Sequence, residues 1–155
     1  MSMEFGDEKE VAKMAERMLE TAMRRKVNTL GFREHISGNK SLVSHTIGKA
    51  STKVGTGPGN ASKIYMNKLA LVMLKHGFIQ HYGSKTIRTG GQRTRHRPET
   101  RTYNFASHYY NLPEKDYIGK AVRQSGVIEF VMSEITRIRC REVWVGLQTF
   151  LDGNG

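Results

Sequence analysis

Six histidines and a single cysteine are the side chains of this sequence that could support a metal site or a nucleophilic reaction. The histidines are His35, His45, His76, His81, His96 and His108. None of them forms the His-Glu-x-x-His spacing that places two ligands on one helical face, and none is spaced from Cys140 as in a zinc site. We therefore predict that the chain holds no metal ion and no cofactor.

Nucleophilic catalysis would have to use Cys140, which lies between Arg139 and Arg141. Neighbouring cations favour the reactive thiolate form of a cysteine, but the sequence indicates no histidine or carboxylate partner. A semi-buried, inert cysteine is the better interpretation. Glu114 and Asp116 fall in the first turn of a predicted helix, where the helix dipole alone favours carboxylates. The sequence therefore predicts no catalytic residue, and we expect that the protein is not an enzyme.

Positive charge is densest in the segment Lys85–Arg101, where Glu99 is the only acidic residue. Clustered cations followed by aromatic rings can hold phosphates and stack on nucleic-acid bases. The aromatic residues that follow are Tyr103, Phe105, Tyr109 and Tyr110. The candidate contacts for DNA or for an acidic partner protein are Lys85, Arg88, Arg93, Arg95, Arg97 and Arg101.

The composition of the whole chain agrees with a partner of opposite charge. The 155 residues include 25 Lys and Arg against 14 Asp and Glu, which gives a formal net charge of +11. A charge this large repels itself unless nucleic acid, an anionic membrane surface or an acidic protein lies nearby. No apolar run reaches the roughly 18 residues that a membrane span requires, so we expect none.

The elements that must position these residues are expected to form one domain, residues 1–155. Apolar residues at i, i+3, i+4 and i+7 predict an N-terminal helix over residues 7–26, capped by Asp7 with Glu10 three positions later. Residues 27–59, rich in glycine and with few apolar residues, are predicted to be a flexible polar loop that carries at most short strands.

Residues 60–84 are predicted to contain the core helix and a strand. The helix is expected over Asn60–His76, because apolar residues cover more than one of its sides and Gly77 provides a stop signal. A short strand is then expected over Phe78–Tyr82. Residues 85–112 are predicted to be a basic loop, and both a hairpin turn at Thr89–Gln92 and a disordered tip remain open.

Residues 113–151 are predicted to form C-terminal helices or a strand. Pro113 would open a short helix over Glu114–Gln124, and a second helix is expected over Val127–Arg139. The alternation in Val143–Leu151 is typical of a strand, yet these residues could also continue the helix. Together the elements predict an α+β fold with a small antiparallel sheet, flanking helices and long Gly-rich and basic loops.

Two short motifs stand out in this order of elements. The first is Tyr82-Gly83-Ser84, and the second comprises Pro113, Tyr117-Ile118 and Ala121. With this order of elements they resemble the tail-completion or head–tail joining (neck) proteins of tailed bacteriophages. In that family a Tyr-x-x-Tyr-Gly-Ser/Thr segment ends a core element, and Tyr82-Gly83-Ser84 matches its Tyr-Gly-Ser end. A Pro-x-x-Pro-Phe-Ile/Leu-x-x-Ala segment opens a late helix in the family, and here Tyr117 replaces Phe and Asp116 stands where Pro is usual.

The resemblance, which spans about residues 8–140, implies a structural virion protein that assembles as a homo-oligomeric ring at the phage neck. Its neighbours would be portal, adaptor or tail proteins, and it would be assembled in the host cytoplasm. Tyr82, Gly83, Pro113, Tyr117 and Ile118 would have structural roles, and the basic loop would face acidic neighbours or DNA. The basic segment and the aromatic residues after it, Lys85–Tyr110, favour an alternative, a small basic nucleic-acid-binding module without strong sequence specificity.

Overall fold

The computed structural model of the chain describes residues 5–30, 42–57, 62–96 and 98–153. The α+β class predicted from the sequence is confirmed. The elements are α1 (Glu8–Thr29), β1 (Ile47–Thr56), β2 (Ser62–Val72), α2 (Lys75–Tyr82), β3 (Ser84–Arg88), β4 (Gly91–Arg95), β5 (Arg101–Phe105), β6 (His108–Leu112), α3 (Tyr117–Ser125) and α4 (Val127–Asp152).

Within the single domain expected from the length, the chain forms two compact units. The first, which we call the α1 unit, comprises Met1–Leu74 and Tyr117–Gly155. The second, the hairpin unit, comprises Lys75–Asp116. The helices α1, α3 and α4 therefore belong with β1 and β2, whereas the basic segment belongs with α2.

Helix α1 is the centre of the α1 unit and begins where the sequence predicts. The Asp7 carboxylate accepts a hydrogen bond from the backbone N–H of Glu10 at 2.8 Å, and the Glu10 carboxylate accepts one from the Gly6 N–H at 3.0 Å. This reciprocal capping satisfies backbone donors that a helix start leaves unpaired. One buried stripe packs against β1, β2, α3 and α4 and comprises Val11, Ala15, Leu19, Met23 and Val27.

The helix predicted over Asn60–His76 is wrong, because Ser62–Val72 form strand β2. β2 pairs antiparallel with β1, which lies in the segment 27–59 that we expected to be a polar loop. A register shift between Ser51 and Thr52 leaves Asn67 without a partner, so β2 carries a bulge. The bulge interrupts the period-two alternation that would have indicated a strand. Residues 31–41 and 58–61 lie outside the described residues.

Two carboxylates of α1 accept hydrogen bonds from backbone N–H groups of the β1–β2 sheet. Glu8, 2% exposed, accepts a hydrogen bond from the Met66 N–H at 2.6 Å beside the bulge. Glu8 also accepts two hydrogen bonds from the Arg139 guanidinium of α4. Its Oε1 accepts from Nε at 2.8 Å, and its Oε2 accepts from Nη2 at 3.3 Å. These bonds raise the pKa of Arg139 above its ordinary value. Glu16 accepts the Ala50 N–H of β1 at 2.6 Å.

Helix α2 replaces the strand predicted over Phe78–Tyr82. Gly77 does not end a helix as predicted, because it lies inside α2 and is buried together with His81, one turn later. The left-handed glycine that follows the helix is Gly83, with φ 75°. A Cβ at Gly83 would lie 2.6 Å from the Leu112 carbonyl oxygen, so glycine is required there.

The basic loop predicted over residues 85–112 is also wrong, because these residues form a long antiparallel hairpin. β3 pairs with β6 and β4 with β5 in one continuous register, from Ser84 opposite Leu112 to Arg95 opposite Arg101. No turn forms at Thr89–Gln92. Gly90 instead passes close to the facing strand, where a Cβ would lie 2.8 Å from the Phe105 carbonyl oxygen. We call residues 84–112 the arginine hairpin.

The C-terminal part is helical. α3 begins at Tyr117 rather than at Glu114, directly after Asp116, whose φ is 34°. The helix predicted over Val127–Arg139 is present as the first half of α4, and Val143–Leu151 continue it instead of forming a strand. Within the described ranges, no helix is long and apolar enough to cross a membrane.

A pair of glycine substitutions tests the packing of α1 on β1. A Cβ at Gly48 would lie 2.5 Å from the Glu16 carbonyl oxygen, whereas a Cβ at Gly146 in α4 would meet nothing within 4 Å. We expect Gly48→Ala to lower the free energy of unfolding by about 1–3 kcal/mol. Gly146→Ala should raise it by about 0.5–1 kcal/mol. Urea unfolding measures both, and equal effects of the two substitutions would contradict this packing.

Tyr117 makes the stability of the α1 unit sensitive to alkaline pH. The side chain is 1% exposed, its hydroxyl donates to the Met73 Sδ at 3.7 Å, and burial raises its pKa from 10.0 to about 12. A raised pKa contributes stability that is complete below pH 10 and is lost as the pH rises through about 12. We expect the difference in unfolding free energy between wild type and Tyr117→Phe to fall by up to about 2 kcal/mol over that interval. If the difference in unfolding free energy between the two proteins did not change with pH, the raised pKa of Tyr117 would be refuted.

Candidate functional site

The residues first considered for metal or nucleophilic chemistry do not come together in the described parts of the chain. There, no group of three or more His, Cys, Asp or Glu side chains could hold a metal ion. The semi-buried environment predicted for Cys140 is wrong, because its side chain is exposed on α4. His35 lies outside the described residues. The candidate site is therefore a surface, and the arginine hairpin carries it.

The ladder formed by β4 and β5 sorts its side chains onto two faces. Arg93 stands opposite Tyr103 and Arg95 opposite Arg101, and directly opposed residues of an antiparallel pair share a face. Phe105, opposite Gly91, lies on this same face. The other face carries the uncharged polar residues Gln92, Thr94, Thr102 and Asn104, with the Thr94 and Thr102 hydroxyl oxygens 3.0 Å apart.

The pairing of Arg95 with Arg101 places two cations directly opposite each other. The Cβ atoms of such a pair lie about 5 Å apart, and like charges at this distance destabilise a ladder. The Arg101 guanidinium contacts the Glu99 carboxylate at 2.9 Å, but both side chains are more than 70% exposed, so solvent weakens this ion pair. The face therefore keeps an excess of positive charge that an external anion would stabilise.

The ladder formed by β3 and β6 has two faces of its own. His108 shares one of them with Arg88 and Tyr110, and the Arg88 guanidinium lies 3.9 Å from the centroid of the Tyr110 ring. Arg88 and His108 are three positions from Gly91 and Phe105, so the alternation of side chains does not place them on the face of Arg93. The rings of Phe105 and His108 meet edge to face where the two ladders join, with centroids 6.3 Å apart. We define the cationic face as Arg93, Arg95, Arg101, Tyr103 and Phe105.

Three of the six basic residues predicted as contacts, Arg93, Arg95 and Arg101, therefore lie on one face. In the ladder of β3 and β6, Arg88 lies on one face, and Lys85, opposite Asn111, lies on the other with Ile87 and Tyr109. Arg97 lies outside the described residues. Residue spacing alone could not separate these positions, because the face of each side chain depends on the register of the hairpin.

A second surface, which the sequence reasoning missed, lies on the C-terminal half of α4 in the α1 unit. Its side chains recur at helical spacing and are 52–68% exposed. We call it the apolar stripe, and it comprises Val143, Trp144, Leu147, Phe150 and Leu151. The available signal was the apolar composition of Val143–Leu151, which fits a strand and a helix equally until the helix is established.

The two motifs that resemble the phage family meet at the base of the arginine hairpin. Tyr82 ends α2, and a Cβ at Gly83 would lie 3.2 Å from the Pro113 carbonyl carbon. The Lys115 N–H donates to the His81 carbonyl oxygen at 3.1 Å, which also links the two segments. Tyr117 and Ile118 are the first two residues of α3, Tyr117 buried and Ile118 half-buried.

Comparison with known protein families, curated proteins and solved structures finds no match to this chain. The resemblance to tail-completion proteins therefore rests on the motifs themselves.

The opposed arginines give a direct test of the hairpin register. We expect Arg95→Glu to form a cross-strand ion pair with Arg101 and to slow amide hydrogen exchange in β4 and β5 by about 1.5- to 5-fold, since such pairs contribute about 0.2–1 kcal/mol. Thr94→Glu introduces the same charge on the other face, opposite Thr102, and should not slow exchange. Equal effects of both substitutions would rule out this register.

Proposed function

We propose that this chain is a structural subunit of a homo-oligomeric ring, of the tail-completion or head–tail connector kind found at the neck of tailed phages. The observation that carries the proposal is the apolar stripe on α4. Its five side chains form one contiguous patch of large apolar residues in water, and monomeric proteins rarely expose such patches unless they bind something.

The occupant that we propose for the stripe is a second copy of the chain. A ring is built from heterologous contacts, in which one surface of each subunit meets a different surface of the next. An apolar stripe on a helix can serve as one half of such a contact. Burial of Trp144 and Phe150 would contribute most, since aromatic side chains dominate the energetics of interfaces.

The arginine hairpin supports the same proposal. Its β4–β5 part is exposed along almost its whole length, with only Phe105 half-buried. An isolated two-stranded hairpin is marginally stable in water, and its exposed backbone and side chains are available to partners. Such an element is typical of a subunit that reaches its neighbours. The assignment to the phage neck, with portal, adaptor or tail proteins as neighbours, comes from the motifs Tyr82–Ser84 and Pro113–Ala121.

Substitution within the stripe tests the assembly. We expect the wild type to form a closed oligomer, seen as discrete masses in native mass spectrometry and as rings in electron microscopy. Leu147→Glu should weaken each subunit contact by about 2 kcal/mol or more, roughly 30-fold, because it buries a charge in an apolar interface. Thr149→Glu, an exposed position on the other side of α4, is the matched control and should assemble normally.

Two results would contradict the proposal. One is a wild-type protein that stays monomeric and binds none of the portal, adaptor or tail proteins with which it is mixed. The other is an oligomer that Leu147→Glu and Thr149→Glu disturb equally, since the stripe would then not be the contact.

A further inference from the structure

We propose that the cationic face of the arginine hairpin binds the phosphate backbone of duplex DNA. The hairpin, residues 84–112, contains six of the chain's 25 lysines and arginines and a single acidic residue, Glu99. Three of the six, Arg93, Arg95 and Arg101, share one face of β4 and β5, and the other side chains on that face, Tyr103 and Phe105, are uncharged. Arginine binds phosphate oxygens through its planar fork of N–H donors.

The shape of the hairpin suits a duplex. A two-stranded antiparallel ribbon can enter the major groove of B-DNA, which is about 12 Å wide. β4 and β5 have five residues each and would reach about 17 Å if fully extended, so the cationic face can contact more than one phosphate. A continuous polyanion matches this row of cations better than the separate carboxylates of an acidic protein do.

Three rings of the arginine hairpin are engaged by other side chains, which favours phosphate contact over base stacking. Phe105 and His108 pack against each other, and the Tyr110 ring is covered by the Arg88 guanidinium. Rings engaged in this way are not free to act as stacking platforms for a single strand. Tyr103, 47% exposed, keeps a hydroxyl that can donate to a phosphate oxygen. The arrangement therefore fits a duplex, whose bases remain stacked.

The opposed Arg95 and Arg101 give an electrostatic reason why the cationic face would bind phosphate. Two guanidinium groups held on facing strands repel each other when the face is empty. A phosphate placed between them removes the repulsion and can accept hydrogen bonds from both. This binding does not depend on ring assembly, because a single copy of the hairpin carries the whole face.

Fluorescence anisotropy with a 30-base-pair duplex of arbitrary sequence, between about 50 and 200 mM salt, measures the binding. The Arg93/Arg95/Arg101→Gln variant should bind at least about tenfold more weakly. Its slope of log K against log salt should be less steep by roughly 3, about 0.9 per lost phosphate contact. Arg93→Gln alone should reduce the slope by about 1. Far-UV circular dichroism and hydrogen exchange in β3–β6 verify that the hairpin is intact.

The matched control removes the same charge from another surface. Lys9, Lys13 and Arg17 are exposed at successive turns of α1, and Lys9/Lys13/Arg17→Gln should leave the affinity and the salt slope almost unchanged. The assembly-deficient Leu147→Glu variant should still bind the duplex. That result separates a failure of ring formation from a failure of DNA binding.

Four outcomes would overturn the proposal. They are no binding of the duplex by the wild type, an equal loss in the two triple variants, tighter binding of the corresponding single strand, and displacement of the duplex by polyglutamate as effectively as by unlabelled DNA at equal charge. The last of these would identify the face as a site for acidic protein.

Discussion

The buried carboxylate of Glu8 is the interaction on which the α1 unit depends. A buried charge is costly unless its oxygens are hydrogen-bonded and a cation lies nearby. Glu8 meets this requirement only if the bulge in β2 presents the Met66 N–H and α4 brings the Arg139 guanidinium to it. One side chain thereby links a helix start, a strand irregularity and the middle of a long helix. Packing of α1 against the sheet and against α4 must therefore occur together.

The sequence predicts those elements whose signals are local. α1 has a cap, a stripe and a consistent period, and the first half of α4 has helical spacing. β2 could not be predicted in this way. Its apolar run suits a helix, its bulge disrupts the strand alternation, and its partner β1 contributes few apolar residues. Pairing between strands and the hydrogen bonds to Glu8 and Glu16 decide the conformation, and neither is encoded locally.

The candidate site likewise has a part that the sequence predicts locally and a part that depends on strand pairing or helix formation. Composition identified the basic residues of the hairpin, because charge density needs no structure to be seen. Their arrangement required the register, which places Arg93, Arg95 and Arg101 together and puts Lys85 and Arg88 on opposite faces of the ladder of β3 and β6. The apolar stripe was missed for the opposite reason. Its residues were visible, but their common surface exists only once Val143–Leu151 are known to be helical.

The uninterrupted register of the arginine hairpin limits how its length can change. Both ladders keep the same alignment across Gly90, although the pairing is broken there. One extra residue in β4 alone, before Thr94, would turn Arg95 toward the threonine face and place Thr94 opposite Arg101. Two extra residues in each strand would lengthen the ribbon and keep every arginine on its side. Homologous hairpins of different reach should therefore differ by even numbers of residues per strand.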